Sequence, residues 1–245
     1  MSQSKKLGAA EKRNITADWQ REFPVLATYK PMWLLKRHGP LLVGLMLDRD
    51  SSNELYIPTF HVHNLLAPSP SISLSLIYNA PGEKQPRMAR QIRVDRHESA
   101  YLDVAAFFKK ATPELDAVDL SLSRAIQLHF DFVREKRDYA VAKRCWTIFS
   151  DVALLAAWGG HEAYARDTID GASRLMSEWN LPFDVSEWST AVRDLARPEL
   201  MKETLSSEIA KHKLDAVPVF DLSAGDPGEL SAVQVYHEAW GPGAT

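Results

Sequence analysis

The sequence predicts an α+β fold, in which an N-terminal antiparallel or mixed β-sheet is followed by a C-terminal bundle of amphipathic helices. Residues up to about 95 combine short apolar runs, period-two alternation and proline-containing turns, which are typical of strands and their connections. From about residue 101 to residue 212 the apolar residues recur with helical spacing instead. Because strand signals precede helix signals and do not alternate with them, a doubly wound parallel sheet is disfavoured.

A short helix is predicted before the sheet. Thr16 is a suitable N-cap residue, and Pro24 ends the helix after Glu22. Trp19 and Phe23 are four residues apart, so we expect them to share one face of this helix.

The strand signals differ in quality. Residues 41–47 form an almost continuous apolar run, which is typical of a central strand buried on both faces. Residues 71–78 alternate serines with apolar residues, which predicts a half-buried strand. Three less regular segments are further candidates, namely residues 33–36, 55–66 and 91–95.

Helical periodicity begins near residue 99 and continues to residue 212. Pro113 ends the first helix, and the pair Gly159-Gly160 provides a C-cap for a later one. The remaining helices are predicted over residues 115–137, 139–158, 162–179, 186–195 and 198–212.

These patterns divide the chain into a strand-rich part over residues 1–98, a helical part over 99–213 and an acidic tail over 214–245, with one continuous domain as the alternative. The tail carries five acidic residues and no lysine or arginine. It nevertheless keeps large apolar side chains such as Val235 and Tyr236, in which a disordered tail is usually poor. We therefore expect the tail to dock on the rest of the chain, through its apolar residues.

Charge is distributed unevenly along the chain. Residues 1–150 contain 22 Lys and Arg against 16 Asp and Glu, whereas residues 151–245 contain 7 against 16. Such an asymmetry favours different partners for the two ends, while the small overall charge of −3 disfavours bulk nucleic-acid binding.

The sequence predicts neither a signal peptide nor a membrane-spanning segment. The N-terminus lacks the apolar core of a signal peptide, and no apolar stretch approaches the roughly 20 residues that span a bilayer. A single cysteine excludes an internal disulfide and fits a reducing compartment. We expect a cytoplasmic protein without membrane attachment.

One short motif suggests a metal ion. His61 and His63 are two residues apart, so on a strand both imidazoles point to the same face and can reach one ion. The local sequence supplies no third ligand, and the more distant candidates, His38, Asp48, Asp50 and His97, have no diagnostic spacing. A solvated or hydrogen-bonded strand face and a binding surface are the competing interpretations, and no cofactor other than this metal ion is expected.

Arginines recur at every third position in one segment, as Arg87, Arg90, Arg93 and Arg96. Guanidinium groups suit carboxylates and phosphates, so the series predicts contact with an acidic protein partner or, as a weaker alternative, with nucleic acid. Two interpretations make the series structural instead. It is then either a solvated edge or the docking site for the chain's own acidic tail.

The sequence predicts no catalytic residue, since nucleophile elbows, phosphate-binding loops and dinucleotide fingerprints are all absent. Trp188 and Trp240 stand in polar surroundings, as contact anchors often do. The favoured function is therefore a non-catalytic interaction module, such as an adaptor, accessory subunit or inhibitor, that binds a charged protein partner. An enzyme is less favoured but stays open, as a metal-dependent hydrolase that uses His61 and His63. The second alternative is nucleic-acid contact through the arginine series.

Overall fold

The structure is a computed structural model, and it describes residues 7–72, 76–78, 91–135, 145–178, 183–228 and 231–240. Contacts divide the chain into two compact units. The first unit comprises residues 1–63, 76–119 and 214–221, and the second comprises residues 64–75, 120–213 and 222–245.

The fold is α+β, with an N-terminal sheet followed by a helical C-terminal region, as the sequence predicts. The strands of the main sheet are β1 (Ala27–Lys30), β2 (Trp33–His38), β3 (Leu41–Arg49), β4 (Leu55–Asn64), β5 (Leu76–Tyr78) and β6 (Ile92–Arg93). The first five lie in sequence order and form an antiparallel sheet, and β6 pairs with β4.

The apolar run of β3 places this strand at the centre of the sheet. Leu41, Leu42, Val43 and Leu45 are fully buried, as expected for a strand that is covered on both faces. Gly44, in the same run, lies opposite Leu35 of β2, where a larger residue would not fit.

Two helices belong to the first unit, α1 (Ala9–Glu22) and α2 (His97–Ala111). The start of α1 differs from the prediction, because Thr16 lies inside the helix and not at its N-cap. The Thr16 hydroxyl donates to the Lys12 carbonyl oxygen and accepts from the Met32 amide, so it joins α1 to the chain beside the sheet. Trp19 and Phe23 share one buried face, as predicted, with ring centroids 6.1 Å apart.

The second unit is helical. Its helices are α3 (Leu122–Glu135), α4 (Cys145–Trp158), α5 (Glu162–Ser177), α6 (Val185–Leu195), α7 (Pro198–His212) and α8 (Ala232–Trp240). Gly160 follows α4 with φ of +84°, which confirms the predicted glycine C-cap. Before α3 the chain forms the short strand β7 (Leu120–Ser121) instead of a longer helix.

The segment after Lys213 contributes to both units. Its strand β8 (Val219–Phe220) pairs in parallel with β2, whereas β9 (Leu222–Ser223) pairs with β7. In α8, Val235 and Tyr236 are almost fully buried, and Tyr236 packs on Phe149 of α4 with ring centroids 4.6 Å apart.

This partition differs from the sequence-based division at residues 98 and 213. The physical reason is long-range contact. The pairing of β8 with β2 joins residues 214–221 to the sheet, and α2, which the sequence assigns to the helical part, packs on α1 of the first unit. The charge asymmetry shrinks accordingly. The first unit carries 16 Lys and Arg against 15 Asp and Glu, and the second carries 13 against 17.

Candidate binding groove

His61 and His63 lie on β4, and both are almost completely buried. The His61 Nε2 atom accepts a hydrogen bond from Trp33 Nε1 at 2.6 Å, so the lone pair that a metal ion would use is occupied. Burial, together with the nearby charge of His63, lowers the pKa of His61 to about 3. Its imidazole is therefore a neutral acceptor that fixes the orientation of Trp33.

The candidate third ligands stand in other surroundings. His38 contacts the Asp221 carbonyl oxygen, His97 contacts Asp18, and Asp50 accepts hydrogen bonds from the turn that follows it. In the described part of the chain, no three His, Cys, Asp or Glu side chains come together in a group that would hold a metal ion. This geometry gives the metal-dependent alternative no support.

The burial of neutral His61 predicts acid sensitivity. Below about pH 6.5 the unfolded chain takes up a proton on this residue, whereas the folded protein does not until about pH 3. The contribution of His61 to the free energy of unfolding therefore decreases as the pH falls through this window, by about 3 kcal/mol between pH 7 and pH 4. His61→Gln keeps an acceptor for Trp33 but cannot titrate, so urea unfolding should show a smaller loss for this variant.

An exposed histidine provides the control. His237→Gln should follow the wild-type pH dependence, because this residue is exposed on α8. Equal pH dependence of the wild type and His61→Gln would show that His61 is not a buried neutral imidazole in the folded protein.

The arginine series is only partly described, since Arg87 and Arg90 lie outside the described residues. Arg93 lies in β6 and forms a two-pronged hydrogen bond to Asp95, with both donor–acceptor distances at 3.0 Å. Arg96 lies in the 3₁₀ turn Val94–Arg96, exposed to solvent. In the described tail, the acidic Glu238 approaches Arg134 at 3.7 Å and neither of these arginines.

Trp188 is half-buried on α6, and its Nε1 donates to the Ser150 hydroxyl of α4 at 3.0 Å. This bond attaches α6 to α4, which is a structural role. Trp240 ends α8, and its side chain lies outside the described residues.

A groove in the first unit brings together more charged side chains than these predicted sites do. It has a volume of about 730 Å³ and lies between one face of α1 and the segment that starts α2. Four acidic and two basic residues line it, together with a histidine: Glu11, Asp18, Asp95, Glu98, Arg21, Arg96 and His97.

A chain of hydrogen bonds runs from the core to the wall of this groove. Trp19 Nε1 donates to the Tyr56 hydroxyl at 3.1 Å, and that hydroxyl lies 2.7 Å from His97 Nδ1. His97 Nε2 in turn lies 2.9 Å from an oxygen of Asp18. The chain joins α1, β4 and α2.

The neutral His97 tautomer with its proton on Nε2 satisfies every hydrogen bond in this network. An indole nitrogen can only donate, so the Tyr56 oxygen accepts from Trp19, and in this tautomer the Tyr56 hydroxyl donates to His97 Nδ1. His97 then carries its proton on Nε2 and donates it to the Asp18 carboxylate. Burial raises the pKa of the Tyr56 hydroxyl, which keeps this proton in place.

Most charges in the groove are already paired. Asp18 contacts both His97 and Arg21, and Asp95 is held by Arg93. Arg96 and Glu98, in contrast, form no ion pair with any described residue. Both nitrogens of His97, the one imidazole among the described residues that line the groove, have hydrogen-bond partners.

The sequence pointed to only part of this site. Arg96 belongs to the predicted arginine series, and the sequence suggests His97 only as a candidate metal ligand. Asp18 and Tyr56 were missed, because the contacts that join them span 79 and 41 residues of chain. The local sequence indicates this site only through the apolar pair Trp19 and Phe23. Because these two residues are buried, the opposite face of α1 faces solvent.

The fold and the groove define the chain as an α+β protein with a groove lined by charged residues between α1 and the start of α2. No protein-family model, curated protein or solved structure matches it. Within the described ranges, each helix is too short or too polar to cross a membrane.

Proposed function

We propose that the protein is a non-catalytic interaction module and that a charged segment of a protein partner binds in the groove of the first unit. The strongest support is that some charged side chains of the groove are held by neighbouring residues whereas others have no ion-pair partner among the described residues. Side chains on the groove wall are oriented by their neighbours, while Arg96 and Glu98 remain exposed and without an ion pair among the described residues. Oriented charges give specificity in binding, because a partner with the wrong charge pattern is repelled.

Arg96 indicates which chemical group the partner presents to the groove. Its guanidinium offers a forked donor set that fits a carboxylate, so the partner presents an acidic side chain at this position. Arg93 is engaged by Asp95 and contributes less. The nucleic-acid alternative has less support, since the groove holds four carboxylates, which repel phosphates.

Replacing Arg96 tests the proposal. Partners captured by the full-length protein at physiological salt are identified first, and their affinity is then measured for Arg96→Glu. We expect at least a tenfold loss of affinity, because the change inverts a charge in the contact. Lys110→Glu is the matched control, since this lysine is exposed on α2 and does not line the groove.

Two outcomes would count against the function. Recovery of no specific partner at physiological salt would argue against an interaction module. Equal affinities for Arg96→Glu and Lys110→Glu would place the contact elsewhere on the protein.

A further inference from the structure

Asp18 differs from the other carboxylates of the groove in how it is held. Its Oδ2 atom accepts a hydrogen bond from His97 Nε2 at 2.9 Å, and the His97 side chain is only 7% exposed. His97 is itself fixed by the fully buried Tyr56 and stacks on Tyr101, with ring centroids 4.6 Å apart. The orientation of this carboxylate is therefore set from the core, before any ligand arrives.

The other oxygen of Asp18 faces a weaker partner. Oδ1 contacts the guanidinium of Arg21, which lies three residues later on α1, and the Arg21 side chain is 70% exposed. An ion pair this exposed contributes little to stability, so Arg21 is easily exchanged for another cation. Asp95 cannot accept another cation in this way, because Arg93 binds both of its carboxylate oxygens.

We propose that Asp18 is the groove's subsite for a guanidinium or ammonium group, and that Arg21 occupies this subsite in the free protein. Tyr56 is then a positioning residue, which acts on Asp18 through His97 and does not line the groove. The inference deepens the proposed function and rests on it. The partner segment presents a basic side chain to Asp18 in addition to the acidic side chain that meets Arg96.

A short peptide tests the subsite without the partner. The probe is acetyl-Ala-Arg-Ala-amide, titrated into the full-length protein and followed by nuclear magnetic resonance at residues 18, 21 and 97. The matched control peptide carries citrulline, which keeps the shape of arginine but is uncharged. We expect the arginine peptide to shift these resonances and the citrulline peptide to leave them unchanged.

Two surface variants give opposite results if the proposal is correct. Arg21→Ala removes the internal competitor and should bind the arginine peptide about two- to fivefold more tightly, as expected for release of an exposed ion pair. Asp18→Asn should bind it at least tenfold more weakly. Asp103→Asn, an exposed site on α2 outside the groove lining, should bind like the wild type.

Tyr56→Phe separates positioning from folding. The variant keeps the aromatic ring and lacks the hydroxyl, so the His97 Nδ1 resonance should move and peptide affinity should fall about threefold or more, with an unchanged circular dichroism spectrum. Wild-type affinity in Tyr56→Phe would overturn the positioning role. Absence of peptide binding, or affinities that Arg21→Ala and Asp18→Asn do not change, would overturn the subsite. Because no partner is present, these results are independent of the Arg96 experiment.

Discussion

Gly44→Ala should unfold the sheet of the first unit or destabilise it by about 3 kcal/mol or more, the upper part of the range for overpacked cores. A Cβ atom at this position would overlap the backbone carbonyl oxygen of Leu34 and would lie 2.6 Å from Leu35 Cδ2. It would also come within 3.1 Å of His61 Nε2, the acceptor for Trp33. Backbone atoms of a paired strand cannot move aside as a flexible side chain can, so β2 and β3 would have to separate. Urea unfolding followed by circular dichroism measures the effect.

The control for this prediction is another glycine. A Cβ atom at Gly225 would meet its nearest neighbours at 3.9 and 4.0 Å, which is ordinary contact. Gly225→Ala should therefore stay within about 0.5 kcal/mol of the wild type. A Gly44→Ala protein with wild-type stability would show that β2 and β3 are not packed as described.

Tyr236→Ala should destabilise the second unit by about 3–5 kcal/mol, as expected for truncation of a buried aromatic side chain. The Tyr236 ring is 1% exposed and packs on Phe149, so its loss leaves a cavity between α8 and α4. The melting temperature and the urea midpoint of the full-length variant measure this loss. Truncation after Lys213 removes this anchor together with the buried Val217 and Val235, and should cause aggregation or a still lower melting temperature.

An exposed residue of the same helix is the control for Tyr236→Ala, because it tests whether the loss of stability comes from burial. Glu238 lies on the same helix, 60% exposed and 3.7 Å from Arg134, so Glu238→Ala should change stability by no more than about 0.5 kcal/mol. If truncation after Lys213 left the melting temperature unchanged, the contribution of this segment to both units would be refuted.

The fold was predictable where local pattern and burial agree. The central strand β3 and the C-cap after α4 are each determined by a few adjacent residues, namely an apolar run and a glycine pair. The start of α1 was not predictable, because Thr16 is an equally good residue for a helix end and for a hydrogen bond to the Met32 amide. The two-unit division was also out of reach, since it depends on β8 pairing with residues 37 and 38 from more than 180 positions away.

The candidate site was less predictable than the fold. The histidine pair on β4 matches a metal-binding pattern, because both imidazoles lie on one face of the strand, yet burial and Trp33 give His61 another role. The groove is lined by α1 and by the segment that starts α2, and no spacing in one sequence connects Asp18 with His97. Regular spacing of the arginines did not reveal that Arg93 would be engaged by Asp95 while Arg96 stays exposed.

The most direct test of a partner-binding groove fills it without changing its charges. Ala17 is an exposed residue of α1 that lines the groove, whereas Ala106 is exposed on α2 and does not line it. Both alanines are replaced by tryptophan in the full-length protein, and the affinity for the partner captured at physiological salt is measured for each. We predict that Ala17→Trp loses the partner and that Ala106→Trp binds it like the wild type. Undiminished binding by Ala17→Trp would contradict the groove as the site of interaction.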